Sequence, residues 1–124
     1  MAVEIFAESA DGAIGARRIA DERVSVPAHF DAEVYGALRK LLRRGAVDRR
    51  RLQRSVELLA VFGAERVALS PLLLEAHRLS DRLAASDAFY VALARACDCL
   101  LLTTDGRLAD AAAGLARVEL VAAP

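Results

Sequence analysis

The chain has 124 residues, which is enough for one domain with a hydrophobic core and too few for two. Its content of 56% apolar residues excludes a disordered chain, and its 17 basic and 17 acidic residues exclude a global charge that attracts nucleic acid or membranes. The sequence has no signal peptide or apolar span of membrane length, and its two cysteines, Cys97 and Cys99, are too close for an unstrained disulfide, which favours a reducing cytoplasm.

The first half of the chain is predicted to alternate helices with a strand. Residues 2–20 have the apolar spacing of an amphipathic helix, and residues 23–28 resemble a short strand that ends at a proline. Helices are predicted over 31–45 and 48–63, and each of them ends at a glycine. Asp48 is expected to cap the second of these helices.

The second half continues the alternation. Residues 99–104 form a continuous apolar run, which is typical of a strand buried on both faces, and Cys99 is expected to be a small core residue. Ser86 is expected to cap the helix that precedes this strand. The other predicted elements are a strand over 66–70, a helix opened by Pro71, helices over 87–96 and 106–113, and a strand over 118–122.

Alternating strands and helices predict an α/β domain in which a parallel sheet carries helices on both faces. We count four strands and expect a single domain over residues 1–124. These patterns do not determine the order of the strands in the sheet.

Three acidic residues occupy equivalent places in this predicted fold. The helix that begins at Asp87 descends roughly 15 Å, and the strand over 99–104 returns roughly 17 Å. Because these lengths nearly cancel, we expect Asp87 and Asp105 at the same edge of the sheet. Glu33 lies in the first turn of the helix after the 23–28 strand, so it is expected at that edge as well.

Carboxylates that converge in this way require a compensating charge. Mg²⁺ or Mn²⁺ prefers oxygen ligands, and such a metal can activate water and stabilise charge on a phosphate. Thr103 and Thr104 place hydroxyls beside Asp105, where they could contact a metal-bound water or a phosphate oxygen. The alternative is that each acid only caps its helix or interacts with the helix dipole.

One region of this neutral chain is strongly basic. Asp48 is the only acid within this region. The basic side chains of the region, above all Arg43 and Arg44, are expected to contact RNA phosphates or an acidic segment of a partner protein. The alternative is a pair of ordinary solvated helix faces. The cations are Arg39, Lys40, Arg43, Arg44, Arg49, Arg50, Arg51 and Arg54.

Three stretches, "VPAHFDAEVYGALRKLLRRG", "SDAFYVALARA" and "LLLTTDGRLADAA", resemble the PIN-domain ribonucleases, in particular the VapC-type toxins of bacterial toxin–antitoxin pairs. The resemblance covers nearly the whole chain. It implies a three-layer PIN-like domain and a Mg²⁺- or Mn²⁺-dependent endoribonuclease that hydrolyses RNA with a metal-activated water. By this resemblance Glu33, Asp87 and Asp105 correspond to the acidic metal ligands, and a cognate antitoxin and a homodimer are expected.

The sequence departs from the family pattern at its start. Family members open with an apolar strand that ends in aspartate, whereas "MAVEIFAES" begins inside the helix that follows it. One hypothesis is that Met1 is an internal methionine of a longer natural protein, which the undamaged remaining motifs favour. The other is that the chain is a truncated, inactive relative. Two rival functions also stay open: a catalytically impaired toxin-like subunit that acts as an antitoxin-binding or dimerisation module, and a generic α/β ligand-binding domain in which the three acids are only caps.

Overall fold

The computed structural model of the protein describes residues 22–121, so the helix predicted over 2–20 lies outside the described residues. Within this range the chain forms two compact units. The first contains His29–Glu65, and the second contains Ser25–Ala28 and Arg66–Val121. The single domain predicted over the whole chain stays a prediction.

The first unit is built on two helices, α1 (Phe30–Arg43) and α2 (Arg49–Ala60), which pack against each other. Three apolar side chains of α1 recur every four residues and are buried, which gives this helix its inward face. They are Phe30, Val34 and Leu38.

The boundary between α1 and α2 is defined by backbone chemistry. Gly45 has a φ of 75°, the left-handed conformation that ends helices, and its N–H donates to the Leu42 carbonyl at 3.0 Å. Asp48 then caps α2, because its carboxylate accepts a hydrogen bond of 2.8 Å from the Arg51 N–H. The predicted cap at Asp48 is confirmed.

The second unit alternates strands and helices. Between residues 22 and 121 the chain forms four strands and five α-helices, which confirms the α/β class. The remaining elements are β1 (Ser25–Pro27), β2 (Glu65–Val67), a 3-10 turn (Ser70–Leu72), α3 (Leu73–Arg78), α4 (Ala85–Cys97), β3 (Leu101–Thr103), α5 (Gly106–Ala112) and β4 (Val118–Leu120).

The described strands pair two by two. β3 and β4 are parallel, with Leu101 opposite Val118 and Thr103 opposite Leu120, and α5 crosses between them. β1 pairs with β2. The predicted parallel pairing is therefore observed for β3 and β4, in a βαβ arrangement that leaves the residues after β3 at the start of α5.

Helix α4 is the centre of the core of the second unit. Its run from Val91 to Ala94 is buried, and Val91 and Ala92 are 0% exposed. The helix contacts α3, β1 and β3, which its small alanine side chains allow at close range. None of the helices within residues 22–121 has both the length and the apolar character that crossing a membrane requires.

Three local predictions are wrong. Helix α2 ends at Ala60, with Val61 at its C-cap, and not at Gly63. Helix α4 has Ala84, not Ser86, at its N-cap position, because it begins two residues earlier than the pattern indicated. Cys99 is exposed, not buried, because β3 begins only at Leu101. The left-handed conformation of Asp98, with φ 52°, ends α4 and leaves the residues just before β3 at the surface.

Candidate active site

Asp105 lies directly after β3 and caps α5. Its Oδ1 accepts hydrogen bonds from the N–H groups of Arg107 at 2.9 Å and Leu108 at 3.4 Å. The residue is exposed, and its extended backbone is the usual conformation of an N-cap. Among the described residues its Oδ2 takes part in no hydrogen bond or ion pair, so one oxygen is left for a ligand.

The two threonines before Asp105 differ in their surroundings. Thr103 is buried, with 5% of its surface exposed, and its hydroxyl accepts a hydrogen bond of 3.0 Å from the Asp105 N–H. Thr104 is half-buried. The contact of Thr103 fixes the backbone at Asp105, and a direct contact of either hydroxyl with a ligand stays a prediction.

Asp87 is the third residue of α4 and is half-buried. No side chain caps this helix at Ala84, so Asp87 is the acid that interacts with the positive end of the α4 dipole. Since α4 reaches β3 through residues 98–100 alone and contacts it, the start of the helix and the end of the strand are expected at the same end of this unit.

Glu33 lies in the first turn of α1, in the other unit. Its side chain is 43% exposed, and its Oε2 lies 3.9 Å from Nε2 of His29, the residue at the N-cap of the same helix. Asp87 and Asp105 are therefore in one unit and Glu33 is in the other.

The donor chemistry of these acids fits a hard divalent cation, since carboxylate oxygens are the ligands that Mg²⁺ and Mn²⁺ prefer. Within residues 22–121, however, no group of three or more His, Cys, Asp or Glu side chains is arranged to hold a metal ion. The three-acid metal site therefore stays a prediction from the sequence.

The sequence interpretation missed an ion-pair cluster in the second unit. The carboxylate of Glu75 on α3 lies 2.9 Å from Arg78 Nη1 and 2.8 Å from Arg95 Nε on α4. The hydrogen bond from Arg78 and the charge of Arg95 lower the pKa of Glu75 below its ordinary value of 4.5. The spacing of three residues between Glu75 and Arg78 was a visible signal for the first pair, but the second needs the tertiary structure.

Arg43 and Arg44 are exposed at the end of α1, as the predicted contact with phosphates requires. Neither takes part in an ion pair with another residue of the described range. Their binding role stays a prediction.

Comparison with known proteins identifies the family. The family model of the PIN domain matches residues 1–114. Ribonuclease VapC12 of Mycobacterium tuberculosis strain H37Rv is 39% identical over 122 residues, which cover 98% of this chain and 94% of the relative. Ribonuclease VapC3 of the same strain is 40% identical over 110 residues, which cover 88% and 80%. This chain therefore belongs to the PIN domain family.

Proposed function

We propose that this protein is an endoribonuclease toxin of a VapC type, which hydrolyses RNA phosphodiester bonds and depends on Mg²⁺ or Mn²⁺. Family membership carries the proposal: the PIN domain model matches residues 1–114, and relatives with identities of 39% and 40% are named ribonucleases. The acids expected from the resemblance, Glu33, Asp87 and Asp105, are all present in the matched range.

Glu33, Asp87 and Asp105 are the proposed ligands of the metal. A divalent cation bound to them would lower the pKa of a bound water molecule and would neutralise charge on the phosphate. Asp105 contributes a carboxylate whose position is fixed by the hydrogen bonds of its Oδ1 to α5. Thr103 holds the backbone of Asp105, and Thr104 supplies a hydroxyl for the substrate.

The partners follow from the same resemblance. A cognate antitoxin would hold the toxin inactive, and the toxin would form a homodimer. Arg43 and Arg44 would contact RNA phosphates. The two free thiols, Cys97 and Cys99, are compatible with a reducing cytoplasm, where we place the reaction.

The test is cleavage of a mixed RNA substrate by this chain in Mg²⁺, Mn²⁺ or EDTA. We expect cutting with either metal, none with EDTA, and a loss of about 100-fold or more in Asp87→Asn, because a metal ligand is removed. The matched control is Asp110→Asn, which removes an exposed carboxylate of α5 and should leave the rate unchanged.

A folded protein that does not cut RNA in any of these metals would contradict the nuclease. If that protein still binds an antitoxin, the second candidate applies, a toxin-like subunit that acts as an antitoxin-binding or dimerisation module. Equal cutting in EDTA would contradict the metal requirement and leave the ribonuclease in place.

A further inference from the structure

Helices α1 and α2 carry positive charge that the described structure does not neutralise. Residues 39–54 contain eight basic residues and one acid, Asp48, whose carboxylate already caps α2. Within residues 22–121, five of the cations take part in no ion pair or side-chain hydrogen bond. These five are Lys40, Arg43, Arg44, Arg49 and Arg50.

The placement of these cations is unfavourable for the helix alone. The first turn of α2 contains Arg49, Arg50 and Arg51 and no acid. The helix dipole disfavours cations at this end, and neighbouring guanidinium groups repel one another. A polyanion bound across the turn would relieve both effects.

An exposed aromatic ring lies beside the cations. Tyr35 of α1 is 44% exposed, and the guanidinium carbon of Arg39 lies 5.7 Å from the centre of its ring. An aromatic ring among cations is the combination that binds single-stranded nucleic acid, because bases stack on the ring while phosphates contact the cations. An acidic peptide would use the cations but has no bases to stack.

The cations and the ring also share a helix with a candidate metal ligand. Glu33 is at the start of α1 and Arg43 is at its end, about 15 Å away along the helix axis. Tyr35 and Arg39 lie between them, on the face away from the buried Val34. Lys40 and Arg44 follow Glu33 by seven and eleven residues and so lie on its side of the helix, and a strand of RNA that follows these two cations would lead towards Glu33.

We propose that a basic surface on α1 and α2 binds single-stranded RNA, with the cations on phosphates and Tyr35 stacked on a base. Tyr35 is then the residue that selects single-stranded over duplex RNA, whose bases are not accessible to it. This binding mode rests on the proposed function, for which it specifies the form of the substrate. The surface consists of Tyr35, Arg39, Lys40, Arg43, Arg44, Arg49 and Arg50.

The experiment measures binding of a fluorescently labelled single-stranded RNA by anisotropy, in EDTA, over a series of salt concentrations. Arg43→Glu with Arg44→Glu should weaken binding about tenfold or more at low salt and reduce the slope of log K against log salt by about 1.4, the value for two phosphate contacts. The matched control, Arg23→Glu with Arg82→Glu, makes the same change in net charge at exposed residues outside α1 and α2 and should change affinity less than about twofold.

Tyr35 is tested by competition with duplex RNA of equal length. Tyr35→Ala should weaken single-strand binding about tenfold, as expected for one lost stacking contact, and leave the salt slope unchanged. Tyr35→Phe keeps the ring and should retain the preference. Thermal unfolding of every variant shows whether the fold is kept.

Equal losses in the two arginine pairs, a preference for duplex RNA, or tighter binding of a polyglutamate peptide than of RNA would each overturn this surface. The proposed function is tested separately, because binding is measured without metal. RNA binding without cleavage would contradict only the nuclease, and cleavage with an unchanged kcat/KM in the Arg43→Glu and Arg44→Glu variant would contradict only the basic surface.

Discussion

Asp105 combines a structural and a candidate chemical role in one carboxylate. Its Oδ1 caps α5, and its backbone N–H donates to the buried Thr103 hydroxyl, so the residue is held from both sides. Capping of α5 is a sufficient reason for an aspartate at this position even if no metal binds there. A metal-ligand role, as the family pattern implies, would be a sufficient reason even without the cap. Substitutions that separate the two roles are therefore informative.

We predict that Asp105→Asn retains stability and loses RNA cleavage. Asparagine caps helices as well as aspartate does but is a weaker ligand for a divalent cation, whereas Asp105→Ala should lose cleavage and also about 1 kcal/mol of stability. Urea unfolding and cleavage assays on both variants check this. Full cleavage by Asp105→Asn would show that the residue is only a cap.

Glu75 makes the stability of the second unit depend on pH. Its pKa is lowered in the folded protein by the hydrogen bond from Arg78 and by Arg95. A lowered pKa means that the ionised carboxylate stabilises the fold above its unfolded pKa, and that this stabilisation is lost as the pH falls through the folded pKa.

Glu75→Gln should therefore lower Tm at pH 7 and have a progressively smaller effect below about pH 4.5. Thermal unfolding between pH 7 and pH 3 measures the difference from the parent chain. Glu57→Gln is the control, since Glu57 is exposed and accepts from the amide of Gln53 at 3.0 Å instead of pairing with an arginine. A difference for Glu75→Gln that is the same at every pH would contradict the role of its charge.

At the scale of elements, two glycines, one inside α1 and one just after it, have different backbone conformations. Gly36 is inside the helix and Gly45 follows its end with φ 75°, and an added Cβ would meet no atom within 4 Å at either position. Only the backbone conformation differs, so the pair isolates its effect on stability.

Gly36→Ala should stabilise the protein by about 0.5–1 kcal/mol, because alanine is the better helix former. Gly45→Ala should destabilise it by about 1–2 kcal/mol, because an L-residue is strained in the left-handed region. Chemical unfolding of the two variants provides the comparison. Equal signs for the two changes would show that the termination of α1 does not depend on Gly45.

The elements were predictable to the extent that local chemistry defines them. Asp48 caps the start of α2 with its side chain, and Gly45 ends α1 because it has no side chain to hinder the left-handed conformation. Both helix ends were therefore recognisable in the sequence. The start of α4 was not, because no side chain caps it and Ser86 is a misleading signal. Cys99 was predicted to be buried because the apolar pattern of the strand starts at residue 99. In the structure the left-handed Asp98 ends α4, and Cys99 lies in the connection that follows it.

At the scale of the whole molecule, the α/β class and the parallel pairing of β3 with β4 followed from the alternation of elements. The division into pairs of strands did not, since strand order depends on contacts that periodicity does not encode. The candidate acids were recognisable by their positions at helix starts, yet their mutual arrangement needs the tertiary structure. The net charge of the chain did not predict its local charge distribution, because the total is zero although eight basic residues lie between residues 39 and 54.

The shared role of Asp105 has a genetic consequence. Aspartate and asparagine codons differ by a single base, so under the proposed function one transition at this codon would abolish RNA cleavage and leave a chain that still folds. A selection for cells that survive the expressed toxin should therefore recover Asp105→Asn among full-length, soluble products. Under the proposed function, such a product would still bind the antitoxin and would leave less of it to inhibit any active copy in the same cell.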